Sequence, residues 1–184
     1  MKIFPLRLSG LHLIAPQIFN DERGFFFESY AQAKFAAGKI ETVFVQDNVS
    51  HSKKGVVRAL HYQSKPGQAK LVSCLKGAIW DVAVDIRPES PTFGKWEGVI
   101  LDEKDRHQLF IPVGFAHGFC VLSEEALVHY KVSSPYDPKT ECSIRWDDPD
   151  LKIAWPVVQP IFSERDCKSP FFKEVFGEVM GNRG

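Results

Sequence analysis

Four residues of this 184-residue chain carry side chains suited to moving protons or holding charge among apolar neighbours: His61, Lys70, His117 and Tyr130. His61 lies in Gly55-Val56-Val57-Arg58-Ala59-Leu60-His61-Tyr62-Gln63. In a regular strand it shares a face with Val57, Ala59 and Gln63, while Arg58 takes the other. An imidazole titrates near about 6.5 and can act as acid or base at neutral pH. Lys70 opens an apolar run, where an ammonium needs a polar site or a path to water. Along Leu127-Val128-His129-Tyr130-Lys131-Val132, alternation turns Tyr130 inward, and a buried phenol needs a hydrogen-bond partner. His117 follows the turn signal Pro112-Val113-Gly114, and loop tips at a barrel mouth are where sites are assembled. Arg23 precedes Phe25-Phe26-Phe27, a pattern suited either to an anion beside a stacked ring or to a turn into an edge strand. Each residue alone also reads as ordinary structure: a core histidine, a snorkelling lysine, an inward tyrosine. Their company is what points to a site.

Other chemistries lack their residues. The pair His61-Tyr62-Gln63 has glutamine where a second metal-binding imidazole would stand, and His107 and His117 match no ligand spacing, so no metal is expected. Cys74, Cys120, Cys142 and Cys167 form no CxxC pair and read as structural thiols. No Gly-rich phosphate loop or G-x-S-x-G elbow occurs.

The elements that must position these groups read as strands. In Ala78-Ile79-Trp80-Asp81-Val82-Ala83-Val84-Asp85-Ile86-Arg87 the even positions are apolar, and Asp81, Asp85 and Arg87 fall on the odd face. That period of two predicts a strand with one face in a core. Lys76-Gly77 is a turn between it and the run Lys70 to Leu75. Further strands are expected at Val43–Ser50, Val56–Gln63, Gly98–Leu101, Gln108–Pro112, Gly118–Leu122, Leu127–Ser133 and Glu141–Trp146. Helices are few: Tyr30–Ala37 with Ser29 as cap and Gly38 as stop, and one opened by Ser169-Pro170. Ser163 also reads as a cap, ahead of Asp166. The class is all-β, a sandwich or barrel of jelly-roll type, a form that can hold one ligand in its mouth. One domain over 1–184 is expected, with a catalytic core at about 20–166 and a short helical tail at 167–184. Lys+Arg and Asp+Glu number 23 each, which argues against a nucleic-acid-coating protein. Absence of a long apolar run or secretory signal makes a cytoplasmic protein the expectation, with no membrane partner.

A series of blocks in register resembles the dTDP-4-dehydrorhamnose 3,5-epimerase family, whose members are cupin-fold enzymes of nucleotide-sugar biosynthesis. They run from Asp21-x-Arg23-Gly24-x-Phe26-x-Glu28 and Gln46-Asp47-Asn48-Val49-Ser50, through Gly55-Val56-Val57-Arg58-x-Leu60-His61-Tyr62-Gln63 and Gln68-x-Lys70-Leu71-Val72, to Trp146-Asp147-Asp148-Pro149. Ile111-Pro112-x-Gly114-Phe115-Ala116-His117-Gly118-Phe119, Tyr130-Lys131 and Tyr136-x-Pro138-x-x-Glu141 lie between. The resemblance implies epimerisation at C3 and C5 of a dTDP-4-keto-6-deoxyhexose without cofactor or metal. His61 is then the base, Tyr130 the acid on the opposite face, Lys70 the stabiliser of the O4 anion, and Asp166 the carboxylate orienting His61. Substrate binding falls to Arg23, Phe26, Phe27, Glu28, Gln46, Asn48, Arg58, His117, Tyr136, Glu141 and Arg165. Family members are homodimers in which N-terminal strands pair with the partner, so the same is expected here.

Arg58 and His61 fall on opposite faces of a regular strand. For both to touch one ligand the strand must bend, or Arg58 must reach around an edge or across a dimer interface. Ala59 stands where the family usually has Gly, and its methyl is expected on the His61 side, trimming the pocket. Arg165 replaces a common Lys, and Lys131-Val132-Ser133-Ser134 replaces a Thr-rich stretch. A sister activity inverting C3 alone or C5 alone, and a silent nucleotide-sugar-binding cupin, are the alternatives.

Overall fold

The computed structural model describes residues 1–181, so the last three residues of the expected helical tail lie outside the described residues. The chain opens with four short strands, β1 (Lys2–Pro5), β2 (His12–Ala15), β3 (Ile18–Asp21) and β4 (Gly24–Phe27), then helix α1 (Gln32–Ala37). The central strands follow: β5 (Gln46–Lys53), β6 (Val57–Gln63), β7 (Lys70–Lys76), β8 (Ala78–Asp85) and β9 (Trp96–Asp102). Next come β10 (Gln108–Ile111), β11 (Phe115–Val121), β12 (Glu125–Val132) and β13 (Glu141–Ser143), and last α2 (Glu164–Cys167) and α3 (Phe172–Gly181).

The expected all-β architecture is present as two antiparallel sheets, ordered β1-β2-β10-β7-β12-β5 and β13-β6-β11-β8-β9, with β3-β4 as a separate hairpin. Val72 and Cys74 of β7, Ile79 and Ala83 of β8, Phe115 and Phe119 of β11 and Val128 of β12 meet in one core between the sheets. Each of the larger side chains contributes about 1.5–3 kcal/mol by leaving water. A second core backs the five-stranded sheet, where Ile144, Leu151 and Phe172 from the C-terminal segment cover Val57, Ala59, Val82, Val84 and Cys120. A third backs the six-stranded sheet, where Phe35 of α1 and Ile40 cover Ile14, Leu71 and Phe110.

These outer layers correct the reading of β8. Val82 and Val84 face the C-terminal cover, and the odd face, expected in solvent, forms the interior, where Asp81 and Asp85 have no exposed surface. Lys76-Gly77 joins two different sheets and is not a hairpin between partners. Gly77 turns this corner at φ 78°, where a Cβ would collide with the Glu125 carbonyl.

Local signals misplaced three boundaries. Ser29 caps nothing: α1 begins after Ala31, which gives no side-chain cap. Ser169 bonds the Ser143 hydroxyl at 2.9 Å, and α3 starts at Phe172, where Glu174 accepts from the Phe171 amide at 2.6 Å. The expected start of β5 at Val43 moves to Gln46, where the paired ladder with β12 begins, and Val43 and Val45 are exposed.

Candidate active site

The chamber forms between the sheets, and a β-bulge in β6 arranges it. His61 pairs with His117 and Arg58 with Phe119, so three steps along β6 match two along β11. One extra residue turns the next side chain to the other face. Arg58 and His61 therefore both point inward and line a cavity of about 120 Å³ together with Lys70, His117, Phe119 and Tyr130. Ala59 and Leu60 both point outward into the second core. The bend in the strand thus reconciles Arg58 with His61. It also overturns the expectation for Ala59, whose methyl packs away from His61. Across the bulge, a Cβ at Gly118 would stand 2.7 Å from the Ala59 Cβ and 2.8 Å from the Arg58 carbonyl oxygen, so the close approach requires glycine.

His61, Lys70 and Tyr130 also line an adjoining cavity of about 230 Å³ with Gln46, Asn48, Tyr136 and Glu141. His61 comes from one sheet and Tyr130 from the other, so imidazole and phenol face each other across the interior. Behind His61, Asp166 accepts from Nε2 at 2.6 Å. A carboxylate only accepts, so Nε2 carries the proton and Nδ1 is left as the basic nitrogen. Ser163 caps α2 by accepting from the Asp166 amide at 3.1 Å, and this fixes the carboxylate behind the imidazole. Burial alone would raise the Asp166 carboxyl, but the His61 hydrogen bond and charge, with Ser163 and Arg165, outweigh it and hold the group below its usual range.

Lys70 is 7% exposed and donates to the His61 carbonyl at 3.2 Å. Burial pulls its ammonium down to about 8, against the opposing fields of Asp81 and Glu141. Burial also raises the Tyr130 phenol, so it keeps its proton more firmly than a free tyrosine, with Arg58 pulling the other way.

His117, expected at a loop tip, stands instead in mid-strand on β11, buried, with Nε2 2.9 and 3.0 Å from the two Asp81 oxygens. Desolvation keeps this imidazole below its usual value despite Asp81. Gln46 and Asn48 share one face of β5, as their spacing requires, and the Gln46 amide donates to Asn48 at 2.8 Å. The Tyr136 amide donates to Gln46 Oε1 at 3.1 Å, and its hydroxyl donates to Glu141 at 2.7 Å. Arg165 closes this rim with an ion pair to Glu141 at 2.8 Å.

Four expected binding residues do not join the chamber of their own chain. Arg23 pairs with Asp21 at 2.6 Å in the β3-β4 turn, and Phe26 is 68% exposed beside it. Phe27 lies with its ring 5.5 Å from the Arg106 guanidinium, and Glu28 pairs with Lys34 at 2.8 Å. Sequence reasoning missed Ser52, which accepts from Arg58 Nε at 3.0 Å, though it continues the two-residue row of Gln46, Asn48 and Ser50. It missed Asp81 because an acidic residue in an alternating strand looks solvent-facing. Among the described residues no group of three or more His, Cys, Asp or Glu side chains is arranged to hold a metal ion.

An open-ended sandwich with a His-Asp pair, a lysine and a tyrosine converging on its interior defines a cupin-like enzyme built for proton transfer. The model of the dTDP-4-dehydrorhamnose 3,5-epimerase family matches residues 5–174, and the chain belongs to that family. It is 50% identical over 178 residues to the dTDP-4-dehydrorhamnose 3,5-epimerase of Salmonella typhimurium, covering 95% of this chain and 97% of that protein. The Shigella flexneri protein of the same name is 49% identical over 175 residues, with 94% and 96% covered. A crystal structure of the Legionella pneumophila dTDP-6-deoxy-D-glucose-3,5-epimerase in complex with dTDP-4-keto-L-rhamnose superimposes with a TM-score of 0.93 at 47% identity, covering 97% of this chain and 96% of that one.

Proposed function

We propose that this enzyme inverts C3 and C5 of dTDP-4-dehydro-6-deoxy-D-glucose to give dTDP-4-dehydro-L-rhamnose. The observation that carries the reading is that His61 and Tyr130 face each other from opposite sheets in one chamber, with the Lys70 ammonium on the same walls. A ketone at C4 acidifies the hydrogens on both neighbouring carbons. His61 Nδ1 removes one of them, the electron pair moves to O4, and Lys70 stabilises the enolate. Tyr130 returns a proton from the other face, which inverts the centre; His61 then gives its proton to solvent and Tyr130 regains one, and the same cycle at the second carbon completes the reaction. A positioned acid or base supplies about 10²–10⁴ in rate, and one charge-stabilising donor about 10²–10³. Asp166 fixes the His61 tautomer and stabilises the imidazolium that forms.

Arg58, His117, Gln46, Asn48 and Glu141 hold the sugar and diphosphate, with Tyr136 at the rim against the nucleobase and Arg165 holding Glu141. An arginine fork suits diphosphate because it donates bidentately. Arg23, Phe26, Phe27 and Glu28 are assigned to the nucleotide in the chamber of a second copy. The exposure of Arg23, Phe26 and Glu28 on or beside the separate β3-β4 hairpin, and the absence of all four from their own chamber, support a homodimer completed by its N-terminal strands. Light scattering at micromolar concentration reads this directly, and a monomer mass contradicts it. A cytoplasmic location accords with the four free thiols.

Incubation with dTDP-4-keto-6-deoxyglucose in heavy water tests the activity. Deuterium at C3 and C5 of the product is expected. Label at one carbon means a single-centre epimerase, and none excludes the reaction.

A further inference from the structure

Besides Asp166, four acidic side chains are buried among the described residues, and three of them hold backbone or neighbouring charge. Asp85 accepts from Arg87, Ser90 and Thr92, Glu97 from Arg7 and the Leu8 amide, and Asp148 from the amides of Leu151 and Phe172. Asp81 staples no turn. Its carboxylate has no exposed surface, and among the described residues its hydrogen-bond partner is His117 Nε2, which lies against both oxygens. A buried carboxylate held this way is costly unless something needs its charge.

We propose that Asp81 is a positioning residue for proton transfer, locking the tautomer of His117 and supplying a fixed negative charge opposite Lys70. The inference rests on the epimerase reading and extends it to a residue behind the chamber wall. Because Asp81 only accepts, Nε2 of neutral His117 carries the proton and Nδ1 keeps a lone pair. His117 then meets a sugar hydroxyl as an acceptor and adds no second cation beside Lys70.

The groups facing Lys70 come from five other strands. Arg58 and His61 of β6, His117 of β11 and Tyr130 of β12 share its cavities, while Glu141 of β13 and Asp81 of β8 supply the negative field. Glu141 is already engaged by Arg165 and Tyr136. Removing Asp81 therefore tips Lys70 toward the neutral amine, which cannot stabilise an oxyanion as an ammonium does.

The test is the pH profile of kcat/KM for wild type, Asp81→Asn and Asp81→Glu, with deuterium incorporation as the readout. Wild type loses activity as pH rises through about 8, where Lys70 deprotonates. In D81N this limb moves down by about one pH unit, the low end of what an opposite charge supplies. Its activity at pH 8 therefore falls about fivefold more than its activity at pH 6. D81E, which keeps the charge, returns the limb to the wild-type position whatever its absolute rate. Superimposed limbs for wild type and D81N overturn the proposal, as does a uniform loss with the limb unmoved, which would mark a purely structural residue. If wild type incorporates no deuterium, it is the epimerase reading that fails. Should D81N not fold, the wild-type protein decides: histidine ¹⁵N spectra at pH 7 show His117 as the Nε2–H tautomer, and an imidazolium or Nδ1–H form overturns the assignment.

Discussion

Replacing Lys70 with methionine should make the protein more stable and nearly inactive. The side chain is 7% exposed, and burial draws its ammonium to about 8 from the 10.5 of a free lysine. Below pH 8 the folded state carries this charge at a disadvantage of about 3 kcal/mol relative to the unfolded chain. Methionine keeps the length and flexibility of the stem without the charge. It leaves the His61 carbonyl without its 3.2 Å partner, a loss of about 1 kcal/mol. The net gain is about 2 kcal/mol at pH 7, or roughly 4–8 °C in Tm for a chain of this size.

The sign with pH follows from the lowered value. Between about 8 and 10.5 the unfolded lysine still binds a proton that the folded one has released, so wild-type stability rises through that window. The advantage of Lys70→Met is therefore full at pH 7 and gone by about pH 10.5. Urea titrations of both proteins at matched protomer concentration, at pH 7 and pH 10, read the difference directly. Turnover should drop at least about 10²-fold with the O4 donor removed. A variant no more stable than wild type at pH 7, or a gain that does not shrink at pH 10, refutes the reasoning.

Asp166→Asn removes the acceptor that fixes His61 and lets an amide N–H donate to Nε2, placing the proton on the basic nitrogen. A loss of about 10²–10⁴ in kcat with unchanged dTDP binding is expected by steady-state kinetics and titration calorimetry. Its carboxyl is held low in the fold, so the stability it contributes is present above the ordinary aspartate range and is lost on acidification. The gap between wild type and D166N should therefore narrow at acid pH. Gly118→Ala pushes a methyl against Ala59 and the Arg58 carbonyl and should cost about 1–3 kcal/mol in thermal unfolding, with activity falling as the bulge shifts. An unperturbed melt would show that the bulge does not depend on that close approach.

The sheet class was readable because β7, β8 and β12 keep strict alternation or continuous apolar runs. The inward direction of Tyr130 followed from the same rule. Alternation failed where a strand is irregular or doubly covered. On β6 the extra residue turns Arg58 and His61 to one side, and nothing in Arg58-Ala59-Leu60-His61 announces it without its partner strand β11. On β8 the C-terminal segment buries the face opposite the interior, so Asp81 and Asp85 looked solvated when they are the most enclosed carboxylates. The strands β1 to β4 passed unrecognised because they are four residues each and expose Phe4, Phe19, Phe25 and Phe26. Asp166 could be read locally only as part of a capped helix start. Its approach to His61, 105 residues away, is a product of tertiary structure.

A crystal structure of the Tyr130→Phe variant with dTDP-4-keto-6-deoxyglucose bound bears most directly on the central claim. The account predicts the sugar ring between the two sheets, with His61 Nδ1 and the edge of the introduced phenyl ring on opposite faces of the carbons beside the ketone. It also predicts Lys70 Nζ within hydrogen-bond distance of O4. A sugar bound outside this chamber, or with both groups on the same face of the ring, would contradict it.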